Sequence, residues 1–94
     1  MQVDLKGKVT IVTGGARDIG KAIVLKLAEC GASVAVNYYS SGDAAKSLVA
    51  EVKSRGGDAV AIRANVSEAK EASRLVEATR AALGDTIHIL VNNA

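Results

Sequence analysis

Thr13-Gly14-Gly15-Ala16-Arg17-Asp18-Ile19-Gly20 is the stretch of this 94-residue sequence whose residue types and spacing can do chemistry. Glycines in such a turn let backbone N–H groups approach an anion with no Cβ in the way. A helix that starts there adds roughly half a positive charge at its N-terminus. A pyrophosphate is the ligand this arrangement suits. The alternative is a purely steric turn, because glycine also serves wherever the chain turns left-handed. Three further polar groupings accompany it: Asn37-Tyr38-Tyr39-Ser40-Ser41, Asn65-Val66 and Asn92-Asn93-Ala94. One histidine and one cysteine cannot build a zinc site of the usual kind.

The elements that must position these groups can be read from apolar periodicity. Four β-branched runs, Val9-Thr10-Ile11-Val12, Ser33-Val34-Ala35-Val36, Ala59-Val60-Ala61-Ile62 and Ile87-His88-Ile89-Leu90-Val91, are nearly continuous in apolar character. Continuity rather than alternation marks strands covered on both faces, hence a parallel sheet. Helical stripes separate them: Ile23, Val24, Leu27 and Ala28; then Ala45, Leu48, Val49 and Val52; then Ala72, Leu75, Val76, Thr79 and Leu83. Gly31, Gly56-Gly57 and Gly84 are expected to stop the three helices, and Ser41 or Asp43 and then Ser67 to cap the second and third. The pattern β-α-β-α-β-α-β, with right-handed crossovers and a reversal after the third strand, predicts an α/β fold. It is a partial, Rossmann-type doubly wound parallel sheet of strand order 3-2-1-4. The glycine-rich turn then falls between the first strand and the first helix, the position where a phosphate-binding turn belongs.

On these residues the sequence resembles the short-chain dehydrogenases/reductases. The segment from Thr13 to Gly20 is similar to that family's Thr-Gly-x-x-x-Gly-x-Gly turn. Leu90-Val91-Asn92-Asn93-Ala94 is similar to the start of its Asn-Asn-Ala-Gly segment after the fourth strand. The likeness covers all 94 residues, and is greatest to the 3-oxoacyl-carrier-protein-reductase-like branch. It implies that residues 1–94 are the N-terminal part of a single NAD(P)-binding domain with no second domain. It implies cofactor contacts from Gly14, Gly15, Ala16, Arg17, Asp18, Ile19 and Gly20, from Asn37, Tyr38 and Ser40, from Asn65 and Val66 beside the adenine, and from Asn93 and Ala94. Of the asparagine pair, one braces the sheet and one lines the ribose pocket. It further implies a homo-oligomer for the longer parent, whose interface helices lie downstream in relatives. One position departs: the family's middle glycine is Asp18. Asp tolerates the left-handed region better than most residues, and its carboxylate is expected either to cap the helix through Gly20 or Lys21, or to repel the pyrophosphate unless Arg17 or Lys21 offsets it.

Cofactor choice turns on the end of the second strand. A carboxylate about 20 residues beyond the first glycine would hold the ribose 2′-OH of NAD. Asn37-Tyr38-Tyr39-Ser40-Ser41 contains none, and its neutral donors tolerate a 2′-phosphate. Arg17 stands where many NADP-using relatives carry an arginine that meets that phosphate. NADP is therefore expected over NAD. The alternatives are plain: Arg17 as a solvated turn residue and Asn65 as an asparagine ending a strand in a turn.

The same resemblance places the reacting groups, a Ser, a Tyr-x-x-x-Lys and a further Asn, beyond the Asn-Asn-Ala-Gly segment. Four residues after Tyr38 is Gly42 and four after Tyr39 is Asp43, so neither tyrosine has the required lysine. His88 is expected to be a sheet residue and Cys30 a packed small hydrophobe. These 94 residues alone are thus not expected to transfer hydride; the longer parent would transfer it between the nicotinamide and a carbonyl or alcohol. Two other readings stand beside this one. A sugar-nucleotide epimerase-like turn would need Gly where Arg17 stands and an acid where Asn37 stands. A non-catalytic nucleotide-binding module would need neither.

Composition excludes other classes. Twelve basic against ten acidic residues leave +2, which gives no drive toward nucleic acid or an anionic membrane surface. Apolar runs of a few residues are far short of the ~20 that span a bilayer. The polar start Met1-Gln2-Val3-Asp4 lacks a signal-peptide apolar region. With a lone cysteine, these features predict a soluble cytoplasmic protein. The order 3-2-1-4 leaves the run Ile87 to Val91 at an edge, so the 94 residues alone are expected to self-associate.

Overall fold

The computed structural model describes residues 3–93. Four strands and three helices alternate: β1 (Val9–Thr13), α1 (Asp18–Glu29), β2 (Ser33–Tyr38), α2 (Gly42–Ser54), β3 (Asp58–Arg63), α3 (Ala69–Leu83) and β4 (Ile89–Asn92). All strand pairs are parallel, in the order β3-β2-β1-β4. The doubly wound fold expected from the sequence is thus present, with the chain reversing direction after β3.

Alternate strand residues face opposite helix layers. Val12, Val34 and Val36 pack with Val24 of α1 and with Ala45, Leu48 and Val52 of α2. Ile11 and Ala35 face the other way, toward Ala64 and Leu75 of α3. β1 lies between β2 and β4 and is buried along its whole length, which is why its sequence reads as an unbroken apolar run. The buried Thr10 hydroxyl donates to the Ser33 carbonyl at 3.2 Å, and that of Thr79 to the Leu75 carbonyl at 2.8 Å.

Several local expectations are corrected. Ser67 does not cap α3; the cap position is Glu68, without a side-chain cap bond, and the Ser67 hydroxyl donates to Asn65 Oδ1 at 2.6 Å. Ser41 precedes α2 as expected, but its hydroxyl accepts from Arg17 rather than from the helix. Asp43 lies inside the first turn of α2. Val76 is 39% exposed, so it stands off the stripe formed by Leu75 and Thr79. β4 begins at Ile89, two residues later than its apolar run. The cause lies in His88: its N–H donates to the Val9 carbonyl at 2.9 Å, and its Nδ1 accepts from the Val9 N–H at 3.0 Å. A side chain closes the ladder there, so backbone pairing starts one residue on. His88, expected within the strand, lies just before it and caps the sheet end.

Candidate functional site

The site lies at the C-terminal ends of β1, β2 and β3, where a doubly wound sheet opens a crevice. The glycine-rich turn leaves β1 at Thr13 and enters α1 at Asp18. Gly14 adopts φ 61°, in the left-handed region, and the Gly15 N–H donates to the Asn37 carbonyl at 3.1 Å, tying the turn to the end of β2. Gly20 is where the helix touches the turn. A Cβ there would collide with the Gly14 carbonyl and lie 2.9 Å from Gly15 Cα. Only glycine permits that approach.

Thr13 joins this turn to β4. Its hydroxyl points to the Val91 carbonyl (3.3 Å) and Asn92 Oδ1 (3.2 Å) and accepts from the Asn93 N–H at 3.0 Å. Asn93 Nδ2 donates to the Gly14 carbonyl at 3.3 Å. Asn92 and Asn93 therefore both brace the glycine turn. Ala94 lies outside the described residues.

Two cavities flank the end of β2. One, of about 340 Å³, is lined by Gly14, Ala16, Arg17 and Asp18 on one side and by the segment from Asn37 to Ser41 on the other. The second, of about 250 Å³, shares Gly14, Asn37, Tyr38 and Tyr39 and is closed by Ala64, Asn65, Val66 and Ser67. Together they bring Gly14, Ala16, Arg17, Asp18, Asn37, Tyr38, Ser40, Asn65 and Val66 into one crevice. Gly15 is buried beneath it and Asn93 abuts its floor at Gly14. Ile19 stands apart: it lines neither cavity and is 70% exposed.

The polar side chains have specific partners. Arg17 Nε donates to Ser41 Oγ at 2.8 Å, and it is the only guanidinium nitrogen of Arg17 with a partner among the described residues. Asp18 takes the family's glycine position with φ 54°. It does not cap α1 and forms no ion pair with Arg17 or Lys21 among the described residues. Asp18 lines the first cavity, and neither of the cations that could offset its charge is paired with it among the described residues. Asn37 is 3% exposed, and its Nδ2 lies within hydrogen-bond distance of the Tyr38, Ile62 and Ala64 carbonyls, at 3.4, 3.3 and 3.1 Å. The donor expected from Asn37 is therefore turned into the sheet end. Asn65 is likewise engaged: Oδ1 accepts from the Ser67 N–H (3.2 Å) and Nδ2 donates to Glu68 (3.1 Å). Its turn role is realised, and it lines the second cavity as well.

Residue-type reasoning missed three contributors. Tyr39 lines both cavities; its place in the polar segment after β2 was the available signal. Arg63 stacks its guanidinium 4.8 Å from the centre of the Tyr39 ring, and nothing local in the sequence marks it. Glu71, on α3, accepts from the Asn65 N–H at 3.4 Å and from Arg74. The Arg74 guanidinium, and next the Asn65 N–H, hold the Glu71 carboxyl below its usual range.

A profile of the short chain dehydrogenases matches residues 8–94. The chain belongs to the short-chain dehydrogenase family. Its relatives include elsinochrome reductase 1 of Elsinoe fawcettii, 47% identical over 90 residues, which cover 96% of this chain and 33% of that protein. A 3-oxoacyl-[acyl-carrier-protein] reductase of Synechocystis is 46% identical over 96% of this chain and 36% of its own length. A blue fluorescent protein from a metagenomic library, solved in complex with NADPH, superposes with a TM-score of 0.90 at 42% identity, covering 97% of this chain and 37% of that one. The chain spans about a third of the length of the curated relatives it matches. Short-chain dehydrogenases bind nicotinamide cofactors, and this member is a partial one of the 3-oxoacyl-carrier-protein-reductase-like branch. Among the described residues no helix is long and apolar enough to cross a membrane, and no cluster of His, Cys, Asp or Glu is arranged to hold a metal.

Proposed function

We propose that residues 1–94 are the N-terminal, cofactor-binding part of a single dinucleotide-binding domain, and that the cofactor is NADP(H). The observation that carries the reading is the Arg17–Ser41 pair across a cavity whose β2 side holds no carboxylate. Arg17 keeps both terminal NH₂ groups for a phosphate, while its Nε bond to Ser41 fixes where they point. Gly14, Gly15 and the start of α1 take the pyrophosphate by backbone N–H groups and the helix dipole. Tyr38, Tyr39, Asn65 and Val66 enclose the adenosine, and Ser40 adds a hydroxyl at the 2′-phosphate. Asn37 acts through its backbone and by bracing β3. Asn93 borders the ribose beyond Gly14, and Ile19 and Gly20 lie along the nicotinamide side of α1. Asp18 opposes the pyrophosphate charge.

The residues present fit the dinucleotide: the Gly14–Gly20 contact leaves the turn free of side-chain bulk, and the two cavities adjoin along Gly14, Asn37, Tyr38 and Tyr39. When bound, the nicotinamide supplies hydride. These residues supply binding and orientation. The longer protein is read as a reductase of a carbonyl group, in keeping with the names of the two reductases above and the NADPH of the fluorescent protein.

Titration with NADPH and NADH tests this. Arg17→Ala is expected to weaken NADPH by about 1.5–3 kcal/mol, the scale of a charge-assisted hydrogen bond, and to leave NADH nearly unchanged. Equal losses for both would show that Arg17 does not read the phosphate.

A further inference from the structure

The segment from Tyr39 to Ser41 forms one wall of the crevice and has no regular structure beyond β2 to hold it. An arginine from a different element grips each end. Arg17, from the glycine turn, holds Ser41. Arg63, the last residue of β3, holds Tyr39 twice: its Nε donates to the Tyr39 carbonyl at 3.0 Å, and its guanidinium stacks over the ring. Tyr39 is 53% exposed, so without Arg63 its ring would have little else to fix it. Arg63 is itself tethered. It pairs with Tyr38 in the parallel register, and its carbonyl accepts from Arg74, which is bonded to Glu71. A continuous set of contacts thus runs from α3 through Arg63 and Tyr39 to Ser41 and Arg17. Arg63 does not line the cavity that Arg17 faces.

We propose that Arg63 is a positioning residue for 2′-phosphate recognition: by fixing Tyr39 it holds the loop that carries Ser40 and Ser41, and so sets the direction of Arg17. This rests on the NADP reading above. A planar guanidinium is required because one residue must both stack on an aromatic face and donate in the same plane, which an ammonium cannot do. Arg63 acts on phosphate selectivity through Tyr39, without touching the ligand.

The test uses two ligands that differ only in the 2′-phosphate, 2′,5′-ADP and 5′-AMP, titrated calorimetrically into the protein and its variants. The readout is the ratio of their affinities, and retained 5′-AMP binding shows that a variant is folded. Arg63→Met is expected to lower the wild-type preference for 2′,5′-ADP about tenfold, the scale of one charged hydrogen bond at its lower end. Arg63→Lys, which keeps the charge, is expected to lose nearly as much. Adding Tyr39→Leu to Arg63→Met is expected to weaken both ligands alike through the lost adenosine contact and to lower the ratio no further. Three results would overturn the proposal: an unchanged ratio in Arg63→Lys, since charge alone would then suffice; equal weakening of both ligands by Arg63→Met; or a further fall of the ratio in the double variant, which would place Arg63 on the phosphate itself. A wild type with no preference for 2′,5′-ADP would remove the NADP reading and this proposal together. A preference that survives in every Arg63 variant would remove this proposal alone.

Discussion

On one face of the sheet, α1 and α2 bury Val12, Val24, Val34, Val36, Leu48 and Val52 to 2% exposure or less. On the other face α3 stands alone. It buries Ile11, Ala35, Ala64 and Leu75, while Val60, Ile62, Val66, Leu83 and Ile87 are only partly covered. Two helices bury more of the strands than one, although Ile23, Leu25, Leu27 and Val49 on their own surfaces stay partly exposed. The glycine turn grows from the two-helix side, between β1 and α1, so its backbone is held by dense packing. The α3 side and the β4 edge contribute the less constrained surfaces: Leu90 is 65% exposed on the edge strand.

The difference predicts unequal costs for equal truncations. Leu48→Ala is expected to destabilise by about 4 kcal/mol in the two-helix layer, and Leu75→Ala by about 2 kcal/mol, where half-covered neighbours can settle into the space. Urea unfolding of both variants measures this, and equal losses would erase the distinction. The edge sharpens it next. An apolar, Pro-free edge strand pairs readily with another chain, so the 94 residues should self-associate. Leu90→Lys should weaken that association about tenfold, or about 1.4 kcal/mol. Light scattering across a dilution series reads it, and an unaffected association would place the contact elsewhere.

The smallest effect is acid sensitivity at the α3 corner. Glu71 is held below its ordinary value of 4.5, chiefly by its hydrogen bond to Arg74. A carboxyl lowered by folding adds stability that is complete above its unfolded value and is lost as pH falls through the folded one. The wild type should therefore lose thermal stability below about pH 4.5, and Glu71→Gln should lose less over the same interval. Parallel melting curves for the two proteins would refute this assignment.

Much of the architecture was legible in advance. Continuous apolar runs identified four strands because parallel strands are covered on both faces, and the reversal after the third strand put β4 beside β1. The glycine turn was legible for the same local reason, since a residue without Cβ has few other uses between a strand and a helix. Ser67, Asn37 and His88 were not. Each is a short polar side chain with several partners in reach, and neighbours in space decide which one it takes. Ser67 bonds Asn65 instead of capping α3, Asn37 turns into the end of β3, and His88 replaces a rung of the ladder.

The sequence by itself determined most of the residues that enter the core, where the chain turns, and that the segment from Asn37 to Ser41 holds no carboxylate. Those properties depend on residue type and on spacing over a few positions, which local sterics and burial read directly. Only the tertiary structure decided which donors remain for a ligand. Parallel pairing sets Tyr38 beside Arg63, and the turn sets Arg17 beside Ser41. These partners are far apart in sequence, and a hydrogen bond forms according to distance and direction in space. The selectivity proposed for the crevice therefore rests on contacts that exist only once β1, β2 and β3 lie side by side.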